Sequence, residues 1–320
     1  ARPLTDVFAF VVRRFFLACI SVVLAAALVF SALLAIPGDP ATAILGLNAS
    51  PEALAAVRQQ LGLDEPPVTR FFGWFGGALR GDFGTSLNYH APVRGLIAEG
   101  LAVSLPLAAF GMLVACLVAL PLGTLAALKR GTWLDPLVVS AAQLGAAVPS
   151  FWLGLLLILL FSVQLGWLPS GGFVPWREGP WGSVRSLVLP TLALGLGQAA
   201  VITRMTRSAL LETFSQDYVR TARAKGLPAR TVLLKHGFRN ALVTLLTVLG
   251  LSFSQVLVGA IVVEQVFSLP GLGRLALTAI GTRDFPLLQG EVLVYAAVIV
   301  FLSFLVDLAY GFLDPRIRYD

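Results

Sequence analysis

The chain has 320 residues, of which 57% are hydrophobic and only 12% charged, with a formal net charge of +6. Soluble proteins carry roughly 25% charged residues, so this composition cannot supply a water-facing surface for a domain of this size, and lipid must cover much of it. Crossing a bilayer core of ~30 Å takes about 20 apolar residues. Six transmembrane helices are expected, over residues 15–36, 101–128, 137–165, 187–203, 241–263 and 292–313, which makes the chain an all-α integral membrane protein.

Arg13 and Arg14 precede the first apolar run, as a basic start precedes a secretion signal. Signal cores are usually ~7–15 residues long. This run is longer and no small-residue cleavage site follows it, so it reads as a retained helix after a short cytoplasmic end, residues 1–36. Residues 37–100 form a long external segment that mixes acids and bases. It reads as partly helical over 51–61, where Ser50 can cap and Pro51 suits the first turn. The run Gly73-Trp74-Phe75-Gly76-Gly77 is apolar enough to lie against the membrane surface.

The second and third spans contain Pro106, Pro121 and Pro149. Neighbouring helices can re-satisfy the carbonyls that proline frees, so kinks are expected and not breaks. Trp167, Trp176 and Trp181, in the external loop 166–186, suit the membrane–water boundary. Gly195-Leu196-Gly197, with Ala200 following, superficially matches a dinucleotide fingerprint. It lies inside a predicted span with no strand before it, so close helix packing by small residues is the better reading.

Glu264 and Glu291 lie at helix ends, and Asp307 lies in the last span. A mid-membrane acid costs ~2.5–3.5 kcal/mol on insertion scales. Asp307 is therefore either a pore or coupling ion, or half of a structural ion pair with Arg204 or Arg207 at the inner end of the fourth span. The basic residues set the orientation. With the N-terminus inside, the inner segments hold Arg13, Arg14, Lys129, Arg130, the basic run from Arg204 to Arg239, and Arg316 and Arg318. The outer segments hold about half as many, which puts both termini in the cytoplasm, including the tail 314–320. The positive charge is thus mostly a topology signal, and no basic–aromatic pattern calls for nucleic acid.

The internal segment 204–240 is strongly basic and reads as two short helices. Ser215 is the expected N-cap and Asp217 stands in the first turn, while Arg220, Arg223 and Lys225 crowd the last turn. Gly226 can adopt the positive φ of a helix-ending residue, and Pro228 suits the start of the next helix. Phe214, Tyr218 and Ala222 recur every four residues. A basic helix–glycine–helix on the cytoplasmic side suits a docking element, and equally a loop that merely enforces topology.

No G-x-x-x-x-G-K-[ST] loop is present, so ATP is not bound in the P-loop manner. H-E-x-x-H is missing, as is a Ser/His/Asp set, and no catalytic, cofactor-binding or metal residues are assigned. His90 and His236 have no third ligand spaced near them; Cys19 and Cys116 sit in apolar runs and imply no disulfide framework. Asn48-Ala49-Ser50 reads as a chance glycosylation match.

The segment Asp217-Tyr218-Val219-Arg220-Thr221-Ala222-Arg223-Ala224-Lys225-Gly226-Leu227 closely resembles the EAA loop of ABC importer permeases. In that family the motif runs E-A-A, three residues, then Gly; here Arg220-Thr221-Ala222 fill the first places and Gly226 the last. These departures resemble the peptide and nickel branch. Other stretches agree in order along the chain: Pro37-Gly38-Asp39-Pro40-Ala41, Gly62-Leu63-Asp64-Glu65-Pro66 and Gly81-Asp82-Phe83-Gly84-Thr85-Ser86. They continue with Glu264-Gln265-Val266-Phe267, Pro270-Gly271-Leu272-Gly273, Arg283-Asp284-Phe285-Pro286 and Asp314-Pro315-Arg316-Ile317-Arg318-Tyr319. The family usually has proline shortly after Arg239-Asn240-Ala241, where Thr244 stands here, which puts a kink at the start of the fifth span in doubt.

The resemblance implies a type I ABC importer permease in a bacterial plasma (inner) membrane, its core in residues 101–313. Tyr218, Arg220, Thr221, Ala222, Arg223, Lys225 and Gly226 would form the ATPase-coupling loop. A second, related permease, two ATPase subunits that bind ATP and magnesium, and an extracytoplasmic binding protein would complete the complex. Peptide is the expected cargo from the branch; nickel, glutathione or an oligosaccharide are alternatives. A proton-coupled secondary transporter would normally show inverted repeats and several mid-membrane ionisable residues, which this sequence does not display. A membrane-embedded hydrolase would need the missing catalytic set.

Overall fold

The structure, a computed structural model, describes residues 4–35, 41–42, 50–60, 62 and 64–313. The motif residues 37–40, 63 and 314–319 lie outside the described residues. The long helices are α1 (Leu4–Ala35), α4 (Val93–Leu128), α7 (Pro180–Ser215), α9 (Arg239–Val266) and α11 (Phe285–Leu313). Shorter ones are α2 (Pro51–Gln60), α3 (Pro67–Leu79), α5 (Leu134–Ala147), α6 (Ser150–Leu157), α8 (Asp217–Ala224) and α10 (Leu272–Thr282). Among the described residues, five helices are long and apolar enough to cross a membrane; α5 with α6 and the turns up to Gln164, bent by 94°, bring the number to six when that pair is counted as one span.

That bend corrects the expectation of a simple kink at Pro149. Proline disfavours the α conformation in the residue before it. Val148 is accordingly extended, at φ −81° and ψ 118°, and α6 starts afresh after Pro149. Pro106 and Pro121, in contrast, lie within the unbroken α4. From Gly111 to Gly123 this helix packs closely against α7. A Cβ on Gly195 would stand 2.6 Å from the Gly111 carbonyl oxygen, and one on Gly123 would stand 2.6 Å from that of Thr203. Ala115 and Ala119 of α4 meet Ala199 and Ile202 of α7 between these points. Gly195 thus plays the close-packing part expected of it, while a Cβ on Gly197 would meet open space.

Two compact units emerge, one built on residues 103–270 and 305–313, the other on residues 8–102 and 271–304. In the first, α7 is the central helix, packed on α9, α5 and α6. Its 36 residues span about 54 Å at 1.5 Å per residue, so it runs well beyond a bilayer core. The span expected over residues 187–203 is the middle of this helix. The first unit also explains a buried acid: the Ser104 hydroxyl donates to Glu264 Oε1 at 2.5 Å. Just beyond, Phe267 ends α9 and is fully buried, and its carbonyl accepts the Gly172 N–H at 2.8 Å.

In the second unit, Ser50 caps α2 as expected, accepting the Ala53 N–H at 3.2 Å. Its own backbone N–H, followed by Ser50, holds the Glu52 carboxyl below the usual range. The Gly73–Gly77 run is helical within α3, and Phe71 and Trp74 pack on Phe30 near the C-terminal end of α1. Asp284, fully buried, caps α11 by accepting the Leu287 N–H at 3.2 Å. Its other oxygen accepts the Ser86 hydroxyl at 2.5 Å and the Asn88 N–H at 3.0 Å. Two of the quoted motifs, 198 residues apart, are thereby joined.

Candidate coupling site

The basic internal segment begins later than the sequence suggests, because α7 stays helical to Ser215. The Ser215 hydroxyl donates to the Glu212 carbonyl at 2.7 Å, so it does not cap the next helix. Gln216 takes that place with extended backbone, φ −72° and ψ 146°, and is the single residue between α7 and α8.

Val219 and Ala222 are the buried residues of α8, packed against Val232 and partly buried Phe214. Tyr218 is 39% exposed and lies off this stripe. Phe214 belongs to α7, across the break at Gln216, so the four-residue spacing from Phe214 to Tyr218 does not continue one helical face. Arg220, Thr221, Arg223, Lys225 and Gly226 are exposed with Tyr218. Asp217 and Arg220 approach at 3.5 Å with side chains 95% and 74% exposed, a surface pair of little energetic weight. The Arg223 guanidinium lies over the Phe214 ring, 5.6 Å from its centroid. The Thr221 hydroxyl donates to the Asp217 carbonyl at 3.0 Å.

The helix closes as the sequence indicates. Gly226 has φ +74°, its N–H donates to the Arg223 carbonyl at 2.9 Å, and the Leu227 N–H donates to that of Ala222 at 3.3 Å. This pair of bonds is the Schellman termination, which needs a left-handed residue. A second short helix does not follow as a separate element. The Val232 N–H bonds the Pro228 carbonyl at 3.0 Å, and the chain winds through a π-helical turn, Val232–Phe238, into α9. α9 then passes Thr244 without interruption, so the irregularity lies ahead of it and not at the missing proline. α8 is therefore set between two long helices, joined to α7 by one residue and wound into α9.

The two arginines named beside Asp307 meet other side chains. Arg207 donates Nε and Nη2 to the two carboxylate oxygens of Asp135, at 2.5 and 2.7 Å. Arg204 reaches Gln143 Oε1 at 3.5 Å. Arg207 and Asp135 sit where α7 and α5 run side by side, nearer to each other than the sequence order suggests. The one sequence signal for Asp135 is its place in the first turn of α5, five residues after Arg130. Among the described residues no three His, Cys, Asp or Glu side chains gather into a metal-binding group. The exposed face of α8 offers cations, an aromatic ring and hydroxyls, a set suited to an acidic protein surface.

Residues 119–319 match the family described as binding-protein-dependent transport system inner membrane component, and residues 7–105 match the N-terminal family of such membrane components. A peptide transport system permease protein of Brucella abortus is 45% identical over 312 residues, 98% of this chain and 99% of that protein. The glutathione transport system permease protein GsiC of Salmonella typhimurium is 42% identical over 299 residues, 93% and 95% of the two chains. Among solved structures, the inward-facing MetNI methionine ABC transporter aligns with a TM-score of 0.57 at 21% identity. That alignment covers 68% of this chain and 96% of the other, and shows a shared fold.

Proposed function

This chain belongs to the family of binding-protein-dependent transport system inner membrane components, as a multi-pass inner-membrane permease of ABC importers, and we propose that it forms half of a translocation path for peptides. The observation that carries the mechanism is the placement of α8, exposed and basic, between α7 and α9. A second, related permease completes the path, and an extracytoplasmic binding protein delivers cargo to the outer face. Two ATPase subunits dock from the cytoplasm, one of them on α8, and the N- and C-termini lie on that side. ATP and magnesium bind in those subunits and supply the driving free energy; this chain carries out no covalent chemistry.

Rigid attachment is what lets such a loop transmit force. A push on α8 passes through the single residue Gln216 to α7 and through the π-helical turn to α9. These two helices pack on each other in the membrane, so they respond together. Nucleotide-driven closure of the ATPases then biases the pair between inward-open and outward-open arrangements, a bistable change of rigid bodies. Peptide cargo is favoured by the relative from Brucella abortus. Glutathione, a small peptide derivative, is the second reading, favoured by the Salmonella relative.

The test is reconstitution. Vesicles holding this chain, its partner permease and both ATPases should take up labelled di- to tetrapeptides when binding protein and ATP are present. The chain alone should hydrolyse no ATP. Uptake of glutathione but not peptides would select the second reading, and ATP turnover by the isolated chain would refute the assignment of roles.

A further inference from the structure

The exposed face of α4 in the first unit is wholly apolar: Leu105, Ala109, Leu113 and Leu117 follow one another at four-residue spacing. Such a face suits lipid. α9 differs. Its exposed face runs Thr244, Thr247, Leu251, Gln255, Val258, Val262, Gln265, at spacings of three or four residues. This single stripe, by the helical period, carries two hydroxyls and two amides. Gln255 is midway between Thr244 and Val266, the ends of the apolar stretch of α9.

A second polar side chain meets it there. Gln198 of α7, half-buried, donates Nε2–H to Gln255 Oε1 at 3.3 Å. Each amide offers two donors and a carbonyl acceptor, so this one bond leaves the Gln198 carbonyl and the Gln255 amino group with capacity for another partner. Beside them, a side chain on Gly197 would meet open space. Polar groups inside a membrane face a protein interior or a water-filled cavity and not lipid. The amide pair also has the chemistry of a peptide bond, a donor and an acceptor side by side.

We propose that this face of α9 lines the water-filled path and that Gln198 and Gln255 form its mid-membrane station for the backbone amides of the passing cargo. The cargo half of the proposal rests on the peptide reading above. Hydrogen bonds of this kind recognise a peptide backbone whatever its side chains, which suits a path that follows selection elsewhere. The two glutamines are specificity residues for amide-bearing solutes.

The experiment uses the assembled four-subunit transporter in vesicles, with Cys19 and Cys116 replaced by Ala. Gln255→Cys and Leu117→Cys are compared for reaction with a charged, membrane-impermeant methanethiosulfonate. The thiolate is the reactive form and hydrocarbon suppresses it, so Gln255→Cys should react roughly tenfold faster or more. Binding protein loaded with the di- to tetrapeptide mixture, with ATP, should slow that reaction. Gln255→Leu should lower peptide uptake about fivefold while Gln255→Asn, which keeps the amide, recovers part of it. Equal, slow reaction of both cysteines would overturn the lining and leave the permease assignment intact. Fast reaction that peptide does not slow, with normal uptake by Gln255→Leu, would overturn the cargo station. Failure of the peptide reading would show separately, as absent peptide uptake in the vesicles that carry both glutamines.

Discussion

Arg207 of α7 and Asp135 of α5 form a two-pronged ion pair, with both carboxylate oxygens accepting from one guanidinium. Their side chains are 25% and 10% exposed, so the pair is partly shielded from water. It ties α7, which leads into α8, to the helix that precedes the bend at Pro149. Bidentate geometry of this kind is available to arginine and not to lysine.

Asp135→Asn should therefore destabilise the assembled permease by about 1.5–3 kcal/mol, the range for hydrogen bonds to charged groups. Arg207→Lys should lose a similar part of the stability. The check is thermal unfolding of the detergent-solubilised complex. The double variant should cost less than the sum of the single ones, as expected for residues in direct contact; strict additivity would mean the pair does not act as a unit.

Asp284 joins the external segment to the start of α11, and its removal should loosen both. Asp284→Ala takes away an N-cap, worth about 1–2 kcal/mol, and the acceptor of Ser86 and Asn88. Limited proteolysis from the outer face should cut residues 81–92 faster in this variant than in the parent. Ser86→Ala should have the same effect to a smaller degree. Unchanged cleavage in both would show that the tie carries no stability.

The glycines of α7 give a paired test of helix packing. Gly195→Val puts a Cβ 2.6 Å from the Gly111 carbonyl oxygen, and overpacking of this sort costs about 1–3 kcal/mol. Gly197→Ala meets open space and should be neutral or stabilising by up to ~1 kcal/mol, since alanine favours helix. The yield of folded complex by size-exclusion chromatography reads both. Equal loss would place α4 and α7 farther from the observed crossing.

Topology has its own measurement. Single cysteines at Gly84 and Gly172 should react with an impermeant thiol reagent applied to intact cells, and one at Lys225 should not. The arginine distribution motivates this expectation. Reaction at Lys225 from outside would invert the chain and remove α8 from the reach of cytoplasmic ATPases.

Much of this architecture is written locally in the chain. Apolar runs of spanning length, the Ser50 cap and the Gly226 termination each depend on a few consecutive residues, and each is readable. The prolines are not alike, because their outcome is decided elsewhere. Pro106 and Pro121 sit on a helix clamped through Gly111 and Gly123, while Pro149 follows a β-branched residue that turns extended. The pairing of Arg207 with Asp135 is hidden from the sequence for a similar reason. Sequence ranks the acids by depth in their own spans, and only the packing of α5 on α7 brings Asp135 within reach. The four-residue spacing of Phe214, Tyr218 and Ala222 suggests one shared face, but it counts across Gln216, where the helix stops. The coupling loop itself was recognisable, but its continuity with α9 through a π-helical turn leaves no mark in periodicity.

The most direct test of the account is the coupling loop in reconstituted vesicles with both ATPases present. Gly226→Val forces a β-branched residue into φ +74°, at roughly 1–2 kcal/mol of local strain, with no atom of the chain within 4 Å of the added Cβ. The membrane helices should stay folded and the ATPases should keep hydrolysing ATP, while peptide uptake fails. Arg220→Glu together with Arg223→Glu should reduce ATPase retention, most visibly at low salt where charges are least screened. If both variants transport at the parental rate with full ATPase occupancy, α8 is a topology signal and force enters the membrane helices elsewhere.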